Sequence, residues 1–329
     1  MNRRSQWVLI AIIASITSAL SGQARRPLAP NPIQRDYQQA AGRIIAAATA
    51  DSAAWNKLAE LTDGFGNRLS GSEALERALD WILERMKSEG LDNVRGEPVM
   101  VPRWIRGHEQ VELIEPRYLK MPMLGLGQSV GTPRGGTQAE VLVVSSFDDL
   151  KAKAAAARGK IVLYDVPFTN YGQTVAYRGQ GANEATKVGA VGVLIRAVGP
   201  FGMRTPHTGS MQPYDSTTTN IPAAAISMED AAMLHRMQSR GQRIVVRLEM
   251  EAHMLPDAPS RNVMAEIVGR EKPDEVVVFG GHIDSWDVGQ GAQDDGVGCV
   301  IAMEAAHLMQ RLGLRPRRTV RVVLWVNEE

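Results

Sequence analysis

The sequence contains a single cysteine, Cys299, among 329 residues. One cysteine cannot form an internal disulfide bond, and it excludes a metal site built from several thiolates. An excess of one charge is also lacking, because 37 Lys and Arg residues stand against 36 Asp and Glu residues. This balance removes the usual electrostatic argument for binding nucleic acid or an anionic membrane surface. With 44% hydrophobic residues, the chain can still form a substantial core.

Residues 1–24 have the organisation of a secretory signal peptide. Arg3 and Arg4 form a positively charged start, an apolar stretch covers residues 7–20, and small residues close the segment. The apolar stretch is shorter than the roughly 20 residues of a spanning helix, so an uncleaved anchor is the weaker alternative. We therefore predict Sec-type export to the periplasm or the exterior, with no membrane attachment after cleavage.

The mature chain changes character twice. Residues 25–115 and 256–329 have helix and strand patterns, whereas residues 116–255 hold short strands between loops rich in Gly, Pro, Ser and Thr. We predict that 116–255 is a β-rich module inserted into one α/β domain. The alternative is a single continuous α/β domain.

The last region predicts a buried sheet. Residues 263–268, 275–279 and 319–326 are strand-like, and residues 297–312 have the period of a helix. Strands that are apolar on both faces indicate a sheet covered by helices on both sides. The predicted fold class is therefore α/β, with a doubly wound mixed sheet and the β-rich insert.

The first chemically notable cluster follows the strand at 275–279. Ligands collect beyond the carboxyl ends of strands in open α/β sheets, so His282 is placed to reach a site. A spacing of two puts Asp284 on the same side of an extended chain, where it can accept the second ring N–H of a metal-bound imidazole. A structural hydrogen bond at a strand end is the more common explanation for this pair alone.

The second cluster is Asp294-Asp295, set among four glycines at the start of a helix. Capping of the helix N-terminus explains one carboxylate there. Two adjacent carboxylates exceed what a cap requires, which favours a metal site.

The third cluster, Glu328-Glu329, follows the strand at 319–326. Neighbouring side chains on a strand point to opposite sides, so one carboxylate can bind a metal while the other faces the cavity as a base. A solvated acidic turn explains such a pair in isolation. The three clusters together supply nitrogen and carboxylate ligands without thiolate, which fits Zn²⁺, with Mn²⁺ or Co²⁺ as substitutes.

These motifs resemble those of the co-catalytic di-zinc exopeptidases, a family that includes aminopeptidases and glutamate carboxypeptidases. The resemblance is carried by Gly-His-Ile-Asp-Ser at 281–285, Gly-Ala-Gln-Asp-Asp-Gly-Val-Gly at 291–298 and the Glu pair. Tyr-Arg-Gly-Gln-Gly-Ala at 177–182 and Thr-Pro-His-Thr-Gly at 205–209 are most similar to a carboxypeptidase branch of that family. The resemblance covers essentially the whole mature chain and implies that the insert is a protease-associated domain.

The resemblance also implies roles for individual residues. His282 corresponds to the ligand of one zinc ion, Asp294 to the carboxylate that bridges both ions, and Glu329 to the ligand of the other. Glu328 corresponds to the general base and Asp284 to the partner of His282. A cis peptide bond is expected after Asp294.

Two further family ligands, an Asp and a His, lie downstream of the Glu pair and are absent from this sequence. No other histidine has the matching context, so we expect the chain to be part of a longer protein. The remaining histidines are His108, His207, His235, His253 and His307.

The predicted function is zinc-dependent hydrolysis of dipeptides or short peptides, with two Zn²⁺ per complete site and peptides as the partners. The alternatives are an aminopeptidase on the same scaffold and a non-catalytic binding ectodomain or inactive fragment. Assembly as a homodimer is left open.

Overall fold

The structure is a computed structural model, and it describes residues 31–329. The predicted signal peptide lies outside the described residues. The chain forms two compact units, one ending at Asp51 and one spanning Ser52–Glu329. In the first unit, helix α1 (Pro32–Ala50) begins after Asn31, whose side chain accepts the backbone N–H of Gln34 at 2.7 Å. Among residues 31–329, no helix has the length and hydrophobicity needed to cross a membrane.

The second unit begins with helices α2 (Ala53–Phe65) and α3 (Glu73–Ser88). The N-terminus of α3 is capped by Ser72, which accepts the backbone N–H of Leu75 at 3.2 Å. The apolar side of α3 is fully buried and packs in the core beneath the first sheet. Its buried members are Leu75, Ala78, Leu79, Ile82 and Met86.

A four-stranded mixed sheet forms the centre of this core. Its strands are β1 (Asp92–Ile105), β10 (His253–Ile267), β11 (Lys272–His282) and β12 (Arg318–Trp325). They lie in the order β1-β10-β12-β11. Strand β10 pairs antiparallel with β1 and β12, and β11 pairs parallel with β12.

The expectation of burial on both faces is wrong for β11. Val277 and Val278 are 48% and 50% exposed. Within the described chain β11 lies at the edge of its sheet, so its apolar composition does not translate into burial. The prediction holds for the neighbouring strand β12, where the adjacent residues Val322 and Val323, on opposite faces, are both buried.

The chain between β1 and β10 forms a second, eight-stranded sheet in the order β3-β2-β9-β5-β6-β7-β8-β4. Its central strands β5 to β8 are parallel, and the outer pairs are antiparallel. The strands are Glu109–Glu115, Leu119–Met121, Met123–Gly125, Thr137–Val144, Ile161–Tyr164, Gly192–Arg196, Ala223–Ile226 and Val245–Met250, numbered β2 to β9 in chain order. The proposed domain boundaries at 116 and 255 remain a prediction.

The helices of this part are α4 (Phe147–Ala152), α5 (Ala154–Ala157), α6 (Tyr171–Lys187) and α7 (Met228–Ser239). Helix α6 is the longest of these four. It begins after Asn170, whose side chain accepts the backbone N–H of Gln173 at 2.9 Å. The glycines in this segment disfavour a helix, so the sequence alone does not indicate its full length. Gly181 is needed because a side chain there would stand 3.0 Å from the Tyr164 ring.

Candidate metal centre

The parallel pairing of β11 and β12 brings two of the predicted clusters together. His282 is the last residue of β11 and lies opposite Trp325 of β12. Parallel strands end at the same edge of a sheet, so Glu328 and Glu329, just beyond β12, emerge beside His282. The backbone N–H of Ile283 continues the pairing by donating to the Trp325 carbonyl at 2.7 Å.

The Asp pair lies in the segment Ala292–Gly296, directly before helix α8 (Val297–Arg311), and the backbone is non-helical at both aspartates. The bond between Asp294 and Asp295 is cis, which confirms the expectation. The two carboxylates have different surroundings. The Asp294 side chain is 70% exposed and faces His282. Asp295 instead accepts the backbone N–H groups of His282 and Gly298, both at 3.2 Å, and so ties β11 to the start of α8.

Three side chains from separate segments meet in one cluster. The ligand atoms of His282, Asp294 and Glu329 all lie within 4.8 Å of one another. The closest pair is His282 Nε2 and Asp294 Oδ1, at 3.0 Å. Glu328 Oε2 lies 4.0 Å from the same nitrogen. Three of the five predicted site residues therefore form one cluster, and a fourth, Glu328, approaches its histidine.

The fifth, Asp284, lies behind the cluster and is fully buried. Its Oδ1 is 3.5 Å from His282 Nδ1, while its backbone carbonyl oxygen is nearer, at 3.1 Å. The carboxylate also accepts the backbone N–H groups of Glu328 and Glu329 at 3.0 and 3.2 Å. Asp284 thus holds the segment that carries the Glu pair as well as facing the histidine.

The electrostatics of the cluster favour a cation. Hydrogen bonding to Asp284, aided by the charges of Glu328 and Glu329, raises the pKa of His282 to about 9. Burial, followed by the charge of Asp294, raises the pKa of Glu329 to about 7. The shift of His282 expresses the carboxylates around a single imidazole, and that of Glu329 expresses burial first and the charge of Asp294 second.

The donor set fits a divalent transition metal. One imidazole nitrogen and carboxylate oxygens, without sulfur, are ligands that Zn²⁺ accepts. The crowded carboxylates would be neutralised by such an ion, and binding would require His282 to release its proton.

Sequence reasoning missed Arg68, which is completely buried beneath the cluster. Its guanidinium donates to four backbone carbonyls that belong to three separate segments. They are Ile283 at 2.8 Å, Gly66 at 2.9 Å, Gln290 at 2.7 Å and Gly291 at 3.0 Å. Burial lowers the pKa of Arg68, and the nearby Asp284 carboxylate opposes that shift.

Arg68 can lie this close to the main chain at residue 291 only because that residue is a glycine. Gly291 has φ +56°, and a Cβ there would lie 2.3 Å from Ser285 Cβ and 2.8 Å from Arg68 Nη2. No sequence signal identifies Arg68, because backbone carbonyls are acceptors at every residue.

A cavity of about 320 Å³ opens in front of the cluster. The residues at 282–329 form one wall, and the chain between β6 and β8 forms the other. Its lining includes Tyr171, Arg178, His207, Ser210 and Trp286. His207 is in a loop and lines this wall. Burial and then the charge of Arg178 lower the pKa of His207.

The other tyrosines and Cys299 have structural surroundings. Tyr177 stacks on Phe147 with the ring centroids 4.4 Å apart, and the Tyr214 side chain packs against a core cluster. Cys299 is buried on α8, as the sequence indicated.

Comparison with known proteins places these residues in a family. The model of peptidase family M28 matches residues 262–329, which include every residue of the cluster. A crystal structure of a peptidase M28 precursor from Shewanella amazonensis aligns with a TM-score of 0.86 and 38% identity, covering 90% of this chain and 68% of that one.

The chain belongs to peptidase family M28. A curated M28-like relative, carboxypeptidase Q of Bos taurus, is 53% identical over 280 residues, or 85% of this chain. The chain spans 59% of the length of that relative. A zinc aminopeptidase from Bacillus subtilis shares the fold, with a TM-score of 0.59 and 20% identity over 83% of this chain and 60% of that one.

Proposed function

We propose that the protein is a zinc-dependent exopeptidase that hydrolyses dipeptides or other short peptides, as a carboxypeptidase Q-like dipeptidase. The observation that supports this most is the meeting of His282, Asp294 and Glu329 within 4.8 Å, with Glu328 beside them. The 53% identity to bovine carboxypeptidase Q supports the choice of substrate class.

In this proposal His282, Asp294 and Glu329 hold the metal, with two zinc ions in the complete site. When bound, the metal lowers the pKa of an attacking water and polarises the scissile carbonyl. Glu328 accepts the proton of that water and donates it to the leaving amine. Its carboxylate has the freedom for this, since its side chain is 64% exposed at the cavity.

Asp284 is a positioning residue in the same scheme. Its bonds to the backbone of Glu328 and Glu329 fix where both side chains start, and its proximity to His282 orients the imidazole.

The test is the variant Glu328→Gln in the zinc-loaded protein expressed from its whole gene. Loss of the proton acceptor should lower kcat for a dipeptide by about 10²- to 10⁴-fold, while the zinc content stays unchanged. Glu84→Gln is the matched control, because Glu84 is an exposed glutamate on α3 outside the cavity. Retained turnover in Glu328→Gln would remove Glu328 from this role.

The choice between exopeptidase types needs its own assay. An aminopeptidase requires a free amine and tolerates a blocked carboxyl end, so hydrolysis of C-blocked but not N-blocked dipeptides would favour the aminopeptidase alternative. Absence of hydrolysis in a zinc-loaded protein would favour a non-catalytic role.

Export and domain organisation belong to the same proposal. Residues 1–24 would direct Sec-type secretion and residues 116–255 would form a protease-associated insert. Mass spectrometry of the exported protein would show a mature N-terminus near residue 25 if the first part is right.

A further inference from the structure

The main chain of Glu329 is held from two sides. Its N–H donates to the Asp284 carboxylate at 3.2 Å, within the part of the molecule that carries the cluster. Its carbonyl accepts the hydroxyl of Ser210 at 2.6 Å. Ser210 belongs to the facing wall of the cavity, in the chain between β7 and β8. The Cα from which the Glu329 side chain starts is therefore fixed by one residue from each wall.

Ser210 itself has a fixed position. Gly127 and Ser210 form a parallel bridge, in which the Gly127 N–H donates to the Gly209 carbonyl at 3.1 Å and the Met211 N–H donates to the Gly127 carbonyl at 3.2 Å. The side chain of Met211 is buried in a core cluster of the second sheet. The Ser210 hydroxyl is thus presented to Glu329 by a main chain that is bonded on both sides.

The same bridge contacts the metal centre at a second place. Gly127 lies against the ring of Trp286, because a Cβ at Gly127 would stand 2.2 Å from Trp286 Cη2. The ring also meets Trp104 edge to face, with the ring centroids 6.5 Å apart. Trp286 follows Asp284 by two residues. One bridge of the second sheet therefore contacts both the Glu329 carbonyl and the segment that continues from Asp284.

These contacts act on Glu329 more than on its neighbour in the sequence. The N–H of Glu328 also donates to Asp284, at 3.0 Å. Within residues 31–329, however, no hydrogen bond joins Glu328 to the facing wall. Loss of the Ser210 hydroxyl should therefore disturb the proposed metal ligand and leave the proposed proton acceptor in place.

We propose that Ser210 is a positioning residue for Glu329, so that the facing wall takes part in forming the metal centre. This inference rests on the proposed function, in which Glu329 is a metal ligand. Zinc is then bound most tightly while the second sheet holds the Glu329 carbonyl.

The experiment measures zinc affinity in Ser210→Ala, in the protein expressed from its whole gene. Competition with a chelator should give a dissociation constant about 10- to 100-fold higher than in the wild type, the usual effect of removing a contact that orients a ligand. The visible spectrum of the Co²⁺-loaded variant should also change, because the absorption of Co²⁺ depends on the geometry of its ligands. In the metal-free protein the Tm should fall by only roughly 2–4 °C, since one hydrogen bond is lost.

Three further variants give the comparison. Ser210→Thr keeps a hydroxyl at the same position and should recover most of the zinc affinity. Ser239→Ala removes a hydroxyl that donates to the His235 carbonyl at 3.0 Å on α7, outside the cavity, and should bind zinc like the wild type. Glu329→Gln impairs the proposed ligand itself and provides the reference for its loss.

The outcomes separate this inference from the proposed function. A weaker zinc affinity in Ser210→Ala that Ser210→Thr recovers and Ser239→Ala does not share supports the positioning role. Wild-type affinity in Ser210→Ala overturns the inference, and so does a loss that Ser210→Thr fails to recover. In either case, weakened binding in Glu329→Gln leaves the proposed ligand standing, whereas wild-type affinity in Glu329→Gln would contradict that part of the proposed function.

Discussion

Arg68 offers the sharpest test of how the metal centre is constructed, because one side chain joins three segments of it. Replacement by lysine keeps the positive charge and most of the volume. It removes the planar fork that reaches carbonyls in several directions. The prediction concerns both the free energy of unfolding and the affinity for zinc.

The magnitude follows from the carbonyls left without a donor. Gly291 keeps a second donor, the N–H of Gly296 at 3.0 Å, so three carbonyls depend more heavily on Arg68. An ammonium can serve one or two of them. With a cost of about 1–3 kcal/mol for each buried group left unpaired, Arg68→Lys should lower the free energy of unfolding by about 2–4 kcal/mol. The expected fall in Tm is roughly 5–15 °C for a unit of this size.

The metal affinity should fall as well, because Ile283 follows the proposed ligand His282, and Gln290 and Gly291 precede the proposed ligand Asp294. Loosening such supporting contacts typically weakens metal binding about 10- to 100-fold. Zinc competition titrations measure this, and thermal melts of the metal-free protein measure the stability. Arg117→Lys, at an exposed arginine, is the control. A normal zinc affinity in a destabilised Arg68→Lys protein would refute the positioning role, and an unchanged Tm would refute the calculation of unpaired carbonyls.

Two further predictions use single residues. Burial, followed by the charge of Asp295, raises the pKa of the Cys299 thiol. The thiol should therefore resist a thiol reagent at pH 8 and react once the protein is unfolded. Rapid labelling of the native protein would contradict this. The pKa of His282 is raised from 6.5 to about 9, chiefly by Asp284. In the metal-free protein the pair of His282 and Asp284 therefore contributes fully to the stability of the folded state below about pH 6.5. That contribution disappears as the pH rises through 9. Thermal melts should show this loss in the wild type and a smaller one in Asp284→Asn; equal curves would reject the pairing.

The metal cluster could be predicted from the sequence because its signals are local. His282 and Glu329 each follow an apolar strand, and Asp294 stands among glycines before a helix. Parallel strands ending at one edge bring the first two together, so recognising the strands was sufficient to predict their proximity. The burial of β11 could not be predicted in the same way, because whether a strand lies at an edge depends on its neighbours in the sheet.

The supporting contacts could not be predicted, for a different reason. Arg68 binds main-chain carbonyls up to 223 residues away in sequence, and the Asp284 carboxylate binds main-chain N–H groups of the Glu pair. Main-chain groups are the same at every residue, so these partnerships leave no pattern in the sequence. Only the adjacent Asp and Glu residues indicated that the members of each pair differ, and the structure shows that one member of each pair is more exposed than the other.

The separation of the two cavity walls has a consequence for how such a protein can change its specificity. The candidate metal cluster comes from residues 282–329, where Arg68, Asp284 and Asp295 hold the main chain. The facing wall, with Arg178, comes from the chain between two strands of the other sheet. Because Ser210 joins the walls through a single hydrogen bond to a main-chain carbonyl, the other side chains on the facing wall can be replaced without altering the contacts that hold the cluster. Under the proposed function, substitutions elsewhere on the facing wall, for example at Arg178, should therefore leave zinc binding at the cluster intact.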